Sequence, residues 1–283
     1  MVEALILSGV SVVLYNLGVG LPFFLVPLQV LRVRKGGKAF LLGSCLSLLA
    51  TLGVRLALSG RALGTAGLPF MVLEAALLLC LLGGLAWIQL PELSGRPSRL
   101  PGGRAARLLA AAAASGAVSI PLILYLRKSG AFTEAMREIF AAVSAALDQM
   151  LGQGLELPQG QTMFKPEQLQ AMTGQMLLRS YLADYFLLLA FSWWAGNLIG
   201  ARSLGRRSAA TRLEHFRLPD GYVWPLIAGL AVLLLGLLIP LGVVNFAAWN
   251  LTLIMVLLYG PVSYTHLRAH ETPEHLVCRL LLE

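Results

Sequence analysis

The chain has 283 residues, of which 57% are hydrophobic and only 13% are charged, whereas soluble domains carry about 25% charged residues. Its apolar segments are long and continuous, which favours membrane-spanning helices over a membrane β-barrel. The formal net charge of +8 comes from basic residues in short loops between apolar segments, a distribution typical of membrane topology and not of nucleic-acid binding. We therefore expect an integral membrane protein that contacts the lipid bilayer and binds no nucleic acid.

Several apolar stretches are long enough to cross a membrane, which takes about 20 helical residues. In chain order they are Ala4–Arg32, Lys38–Ser59, Pro69–Leu90, Ala105–Leu126, Met176–Gly200, Tyr222–Pro240 and Gly242–Gly260. The pattern predicts an all-α fold, a polytopic transmembrane helical bundle of about seven to eight membrane segments. Residues 1–261 are expected to form a single transmembrane domain.

The first apolar stretch is too long for one span and contains the sequence GVGLP, from Gly18 to Pro22. Glycine and proline together weaken a helix at this point. The stretch therefore forms either one kinked helix or two short segments in a re-entrant hairpin, and we favour the broken form.

Basic residues are concentrated in alternate loops. The loops at 32–38, 96–107 and 202–217 carry four, four and five of them, whereas the loop at 241–244 has none. Because positively charged loops stay in the cytoplasm, these three loops predict the cytoplasmic face of a multi-pass membrane protein. The side of the N-terminus depends on whether the first stretch crosses once or twice, and the sequence leaves it open.

The insertion at 127–175 is the one long hydrophilic segment between spans, and the orientation places it on the extracytoplasmic side. Part of it, AFTEAMREIFAAVSAALDQML, predicts an amphipathic helix over residues 131–151. Its apolar stripe consists of Phe132, Met136, Ile139, Phe140, Val143, Leu147 and Met150. This helix is expected either to lie on the membrane surface or to cap the bundle. Pro166 is expected in the first turn of the helix that follows.

Ionisable residues inside spans are costly, so Arg55, Glu74 and Asp184 are the default functional candidates. Arg55 and Glu74 flank the same outer loop and are placed to meet, either as a structural ion pair or as a polar contact for a substrate. Asp184 lies toward the same side, where an interfacial position is the alternative. Together with Asn16 and Pro22 near the break, these residues form the candidate substrate-binding set. The site is expected in the outer half of the bundle, with the Arg55–Glu74 region on its wall and the amphipathic helix above it.

No catalytic constellation is visible, since the sequence has no G-x-S-x-G, H-E-x-x-H or P-loop motif and no paired carboxylates on one helix. We therefore expect no enzyme and no cofactor. Binding or transport of a small molecule is the favoured function, because helix breaks line substrate sites in transporters. The alternative is a non-catalytic role in envelope assembly or in binding a membrane protein partner, suggested by the apolar stripe of the outer insertion.

The order of features resembles the YybS-like family of bacterial inner-membrane proteins. The matching pieces are Pro22 and Pro27 in LPFFLVPLQVL, then RVRKGGKAF, and late in the chain LPDGYVWPLIAGLAVLLL and NLTLIMVLLYG, so that the resemblance covers residues 4–260. That family looks related to the substrate-binding S-components of energy-coupling-factor vitamin transporters. The resemblance implies a Pro-broken first hairpin and a compact bundle that holds a small molecule near the outer face. This chain lacks a clear Ala-x-x-x-Ala docking motif on its first helix.

The tail of the chain contains His266, His270, His275 and Cys278, residue types that bind zinc. However, every residue from 262 to 283 fits one reading frame of a transposase-type sequencing adapter. We therefore interpret residues 262–283 as a non-native tail, expect no metal site in it, and expect the natural chain to continue beyond residue 261.

Overall fold

The computed structural model describes residues 2–18, 20–59, 67–89, 103–152, 165–205 and 220–260. The regular elements in these ranges are helical. The α-helices are α1 (Val2–Asn16), α2 (Leu25–Lys35), α3 (Gly37–Ser59), α4 (Gly67–Ile88), α5 (Gly103–Lys128), α6 (Gly130–Gly152), α7 (Pro166–Ser203), α8 (Val223–Leu238) and α9 (Val243–Gly260). The interpretation of residues 262–283 as non-native concerns a segment outside these ranges.

Within the described ranges, 6 helices are long and apolar enough to cross a membrane, namely α3, α4, α5, α7, α8 and α9. They confirm the predicted all-α polytopic bundle, and their ends lie close to the predicted ones. The helix expected to begin near Pro166 and to run into the span from Met176 is α7, which begins at Pro166 and has 38 residues. A helix of that length measures about 57 Å, nearly twice the bilayer core of about 30 Å. The first turns of α7 therefore extend beyond the span.

The outer surface of the bundle is apolar. On α8, the least buried of the spans, Leu234 is 65% exposed and Leu237 and Leu238 are each 82% exposed. Soluble proteins rarely expose continuous apolar surface of this kind. These side chains are therefore in contact with lipid.

The first membrane segment is a hairpin of two short helices. With 15 residues in α1 and 11 in α2, they measure about 22 and 16 Å, and neither spans a core of about 30 Å. Glu3, near the start of α1, forms ion pairs with Arg34 (2.7 Å) and Lys35 (3.5 Å) at the end of α2. The two ends therefore lie together, which confirms the broken form and places the N-terminus on the side of the first basic loop.

The bundle has two chemically different ends. Near the end of α2, Arg32 donates to the Ala86 carbonyl of α4 (3.5 Å), and Arg107 of α5 donates to the neighbouring Trp87 carbonyl (3.4 Å). We call this the basic end; its cytoplasmic position stays a prediction from the positive-inside rule. The opposite end, where α3 leads to α4 and α5 leads to α6, is called the cavity end.

The hairpin is held in the bundle by close contact between α2 and α7. A β-carbon at Gly196 would collide with the side chain of Gln29, and one at Gly200 would lie 2.7 Å from Val33. Small residues let two membrane helices approach closely, and both glycines serve this packing. Asn197, which lies between them in sequence, donates to a carbonyl of its own helix (2.6 Å).

Candidate functional site

The break in the first membrane segment forms the floor of a cavity. After α1 ends, Gly18 adopts a left-handed backbone conformation (φ 69°), which glycine reaches without steric cost. Leu21–Phe23 then form a single 3-10 turn with Pro22 as its second residue. Ser11 donates from its hydroxyl to the Phe24 carbonyl (2.6 Å) and ties the two arms together below the turn. The side chains of the turn line the cavity.

Helices α5 and α7 form the walls and pack closely at Gly116. A β-carbon at this position would come within 2.5 Å of a Leu182 methyl group. The Tyr181 hydroxyl donates to the Gly116 carbonyl (2.6 Å) and also contacts the Ser119 hydroxyl. Because the Tyr181 hydroxyl is hydrogen-bonded to α5, the aromatic ring is the part of this side chain that lines the cavity.

The side chain of Asn250 in α9 is hydrogen-bonded to the backbone of α7, which forms one wall of the cavity. Its side-chain amide donates to the Leu178 carbonyl (2.8 Å), and its side-chain oxygen accepts from the Leu182 N–H (2.6 Å). These backbone groups are four residues apart and bond to each other in an uninterrupted helix. Asn250 therefore competes with a backbone hydrogen bond of α7 beside the cavity, at a kind of position where helices bend.

The amphipathic helix α6 forms the roof of the cavity. Phe132, Met136 and Phe140 line the space, whereas Glu134 and Arg137 are exposed and form an ion pair at 2.7 Å. The apolar stripe is thus divided from the charged face as predicted. Of the two expected positions for this helix, its contact with the cavity agrees with the cap, and its position relative to the membrane surface stays a prediction.

The cavity has a volume of about 1040 Å³, at the upper end of the range of about 300–1,000 Å³ found for ligand pockets. Most of its lining is apolar. Polar groups come from Arg127, Gln170, Thr173, Tyr181, Asp184 and Tyr185. A few polar groups in a largely apolar, concave surface are typical of small-molecule sites.

The structure divides the candidate residues predicted from the sequence. Pro22 and Asp184 line the cavity. Asn16 lies at the end of α1, where its side chain donates to a backbone carbonyl one turn earlier (2.8 Å), and it is not part of the lining. Arg55 and Glu74 also lie outside the lining.

Arg55 and Glu74 meet in a buried cluster with Tyr15. Glu74 is 2% exposed, and its Oε1 accepts from the Tyr15 hydroxyl (2.8 Å) and from Arg55 Nε (3.2 Å) and Nη2 (3.1 Å). The adjoining cavity, lined in part by Ser11, Tyr15 and Thr51, has a volume of about 10 Å³, the space of about one water molecule. Of the two readings of this pair, the geometry favours the structural ion pair.

Sequence reasoning missed Arg127 and most of the α7 wall. Leu177, Tyr181 and Asp184 recur at intervals of three and four residues, which is the spacing of one helical face. However, apolar residues occur on every side of α7, so periodicity did not distinguish the face toward the cavity from the face toward lipid. The Tyr181 contact with α5 and the insertion of Asn250 set this face, and both are non-local.

Among the described residues, no group of three or more histidine, cysteine, aspartate and glutamate side chains is placed to hold a metal ion. The four possible ligands in the tail, from His266 to Cys278, fall outside the described ranges. Cys45 and Cys80 are free thiols.

No protein-family model, curated protein or solved structure matches the chain. The resemblance to YybS-like proteins and S-components therefore stays a prediction. The cavity between the hairpin turn, α5, α6 and α7 is the feature of the molecule from which a function can be inferred.

Proposed function

We propose that the chain is a non-catalytic membrane protein that binds a small molecule, in the manner of a transporter S-component, with the cavity as its substrate site. The observation that carries this proposal is the cavity of about 1040 Å³ between the hairpin turn, α5, α6 and α7. Its size and its largely apolar lining suit a ligand that is itself mainly apolar.

The re-entrant hairpin supports a binding role. Discontinuous helices that end inside the membrane commonly line substrate sites in transporters, and here the turn at Leu21–Phe23 is the cavity floor. The same arrangement is what the resemblance to S-components implies. The structure therefore agrees in geometry with a substrate-binding subunit.

The charge distribution supports an orientation for this site. If the basic end is cytoplasmic, as the positive-inside rule predicts, the cavity opens toward the outside of a bacterial inner membrane. The ligand would then enter from the extracytoplasmic side. The roof helix α6, which lies at that end, is placed to control entry.

A role in binding a protein partner is the second candidate, and one observation favours it. On α6, Ile139 is 50% exposed and Val143 is 44% exposed, and neither lines the cavity. Exposed apolar side chains beside a span suit either a partner protein or the membrane surface.

Mass spectrometry of the protein purified in lipid nanodiscs tests the main proposal. Gly174 lines the cavity, and a β-carbon there meets nothing within 4 Å. Gly174→Trp should therefore fill the cavity and remove a co-purifying small molecule. Gly53→Trp is the matched control, because Gly53 is equally free of neighbours and lies outside the lining.

A small molecule that is retained by the control and lost from Gly174→Trp would support the proposal. Equal retention by both variants, or the absence of any small molecule, would contradict it. A co-purifying protein that is lost on Ile139→Ser would support the partner-binding alternative instead.

A further inference from the structure

Asp184 is a carboxylate without a basic partner in an apolar cavity. It is exposed to the cavity space, and its Oδ2 accepts one hydrogen bond, from the Ser180 hydroxyl on the preceding turn (2.8 Å). In the part of the chain that the structure describes, no lysine, arginine or histidine pairs with it. Charged groups within membrane spans are costly and usually have a partner, so Asp184 is a candidate for contact with a ligand.

Arg127 lines the same cavity but lies at a different level. Tyr181 meets Ser119 across the α5–α7 interface, and these helices run in opposite directions. Arg127 follows Ser119 by eight residues and Asp184 follows Tyr181 by three, so the Cα atoms of Arg127 and Asp184 lie about 16 Å apart along the bundle. The ion pairs of the described residues do not include one between Arg127 and Asp184.

Two aromatic rings lie within one turn of Asp184 on α7, and two more lie on the cavity floor. Tyr181 and Tyr185 are in edge-to-face contact, with ring centroids 5.5 Å apart. On the floor, Phe23 and Phe191 are in a second such contact at 5.6 Å. All four residues line the cavity. Rings of this kind attract a cation over their faces, and aromatic cages around a carboxylate are typical of sites for ammonium groups.

We propose that the ligand is an organic cation with an apolar body, such as a protonated or quaternary amine, and that Asp184 is its counter-ion. The inference rests on the function proposed above, because it assigns a ligand class to the same cavity. The apolar body would contact the lower walls and the roof, and the cationic group would lie between Asp184 and the tyrosine rings. An anionic ligand is disfavoured, because either its negative charge or its apolar body would lie against the Asp184 carboxylate.

Binding of tetraphenylphosphonium and of tetraphenylborate, two ions of similar shape and opposite charge, tests the inference. Both dissociation constants are measured with the purified protein in nanodiscs, and binding to empty nanodiscs is subtracted. We expect the cation to bind at least tenfold more tightly than the anion. Asp184→Asn should weaken binding of the cation at least tenfold, and Asp184→Glu should restore most of it.

Two controls separate charge recognition from folding. Asp184→Asn keeps an oxygen for the Ser180 hydroxyl, so its unfolding midpoint should match that of the wild type. Glu134→Gln removes a carboxylate from the outer face of α6, where the side chain is 53% exposed, and should leave binding of the cation unchanged. Equal loss in both variants would show a non-specific charge effect and overturn the inference.

The outcomes also distinguish the ligand class from the cavity itself. If Gly174→Trp abolishes binding of both ions while Asp184→Asn changes neither, the cavity binds ligands but the assignment to cations is wrong. If Gly174→Trp changes neither, the cavity is not the binding site, and the proposed function fails with the inference.

Discussion

The buried Arg55–Glu74 pair predicts an unequal response to the removal of its two charges. The side chain of Glu74 is 3% exposed, whereas that of Arg55 is 34% exposed. In Arg55→Ala, the carboxylate stays buried with the Tyr15 hydroxyl as its one remaining donor among the described residues. In Glu74→Gln, Arg55 can turn its partly exposed side chain toward the membrane interface. We therefore expect Arg55→Ala to be the more destabilising change.

The magnitudes follow from the geometry. Removing one partner of a buried ion pair typically costs about 3–5 kcal/mol, and Arg55→Ala should fall in this range. Glu74→Gln keeps an acceptor oxygen for Tyr15 and Arg55, so the bond from Tyr15 falls from about 1.5–3 kcal/mol for a charged acceptor to about 1 kcal/mol for a neutral one. The bonds from Arg55 keep their charged donor and lose their charged acceptor. After partial recovery by the exposed arginine, the loss should be about 2 kcal/mol.

The free energy of unfolding, measured by titration with sodium dodecyl sulfate in mixed micelles, provides the comparison. Arg137→Ala serves as the matched control, because its partner Glu134 is on the surface, where ion pairs contribute at most about 1 kcal/mol. A cost for Glu74→Gln equal to or above that of Arg55→Ala would refute the argument from burial. Loss of ligand binding in Glu74→Gln without loss of stability would place the pair in the binding site.

Two further predictions concern the α7 wall and the hairpin. Asn250→Ala should destabilise the protein by about 1–2 kcal/mol and speed hydrogen exchange of the Leu182 amide, because that N–H loses this acceptor; unchanged exchange would show that the side chain does not compete with the backbone bond. Cysteines introduced at Val2 and Lys38, both exposed, should react with an impermeant thiol reagent from one side of the membrane and a cysteine at Glu134 from the other. Labelling of positions 2 and 134 from the same side would contradict the re-entrant hairpin.

Much of the fold was predictable because the bilayer imposes one strong constraint on the sequence. Spans must be apolar over about 20 residues, so hydropathy located them, and GVGLP located the break. The first ten residues of α7 are too polar for hydropathy to include them in the span, but Pro166 marked the start of that helix. The side of the N-terminus depended on the ion pair between Glu3 and Arg34, which no local pattern indicates.

The site was predictable only in part. The cost of a charge in the membrane correctly brought Arg55 and Glu74 together and drew attention to Asp184. The same cost did not show which of these three side chains lines an open cavity, because this depends on how helices distant in sequence pack together. Gly116 admits Leu182 and Asn250 fixes the backbone of α7, and both contacts became visible only in the folded chain.

The contact between α2 and α7 has a consequence for the order of assembly. Gln29 packs on Gly196, and at a synthesis rate of about 5–20 residues per second the ribosome reaches α7 roughly 10–30 s after it has made the hairpin. During this interval the hairpin is too short to span the bilayer and has no helix against which to bury Gln29, which is 0% exposed in the finished bundle. The first segment to leave the ribosome therefore completes its packing late, and a nascent chain that stops before α7 presents an undocked hairpin to membrane chaperones and proteases.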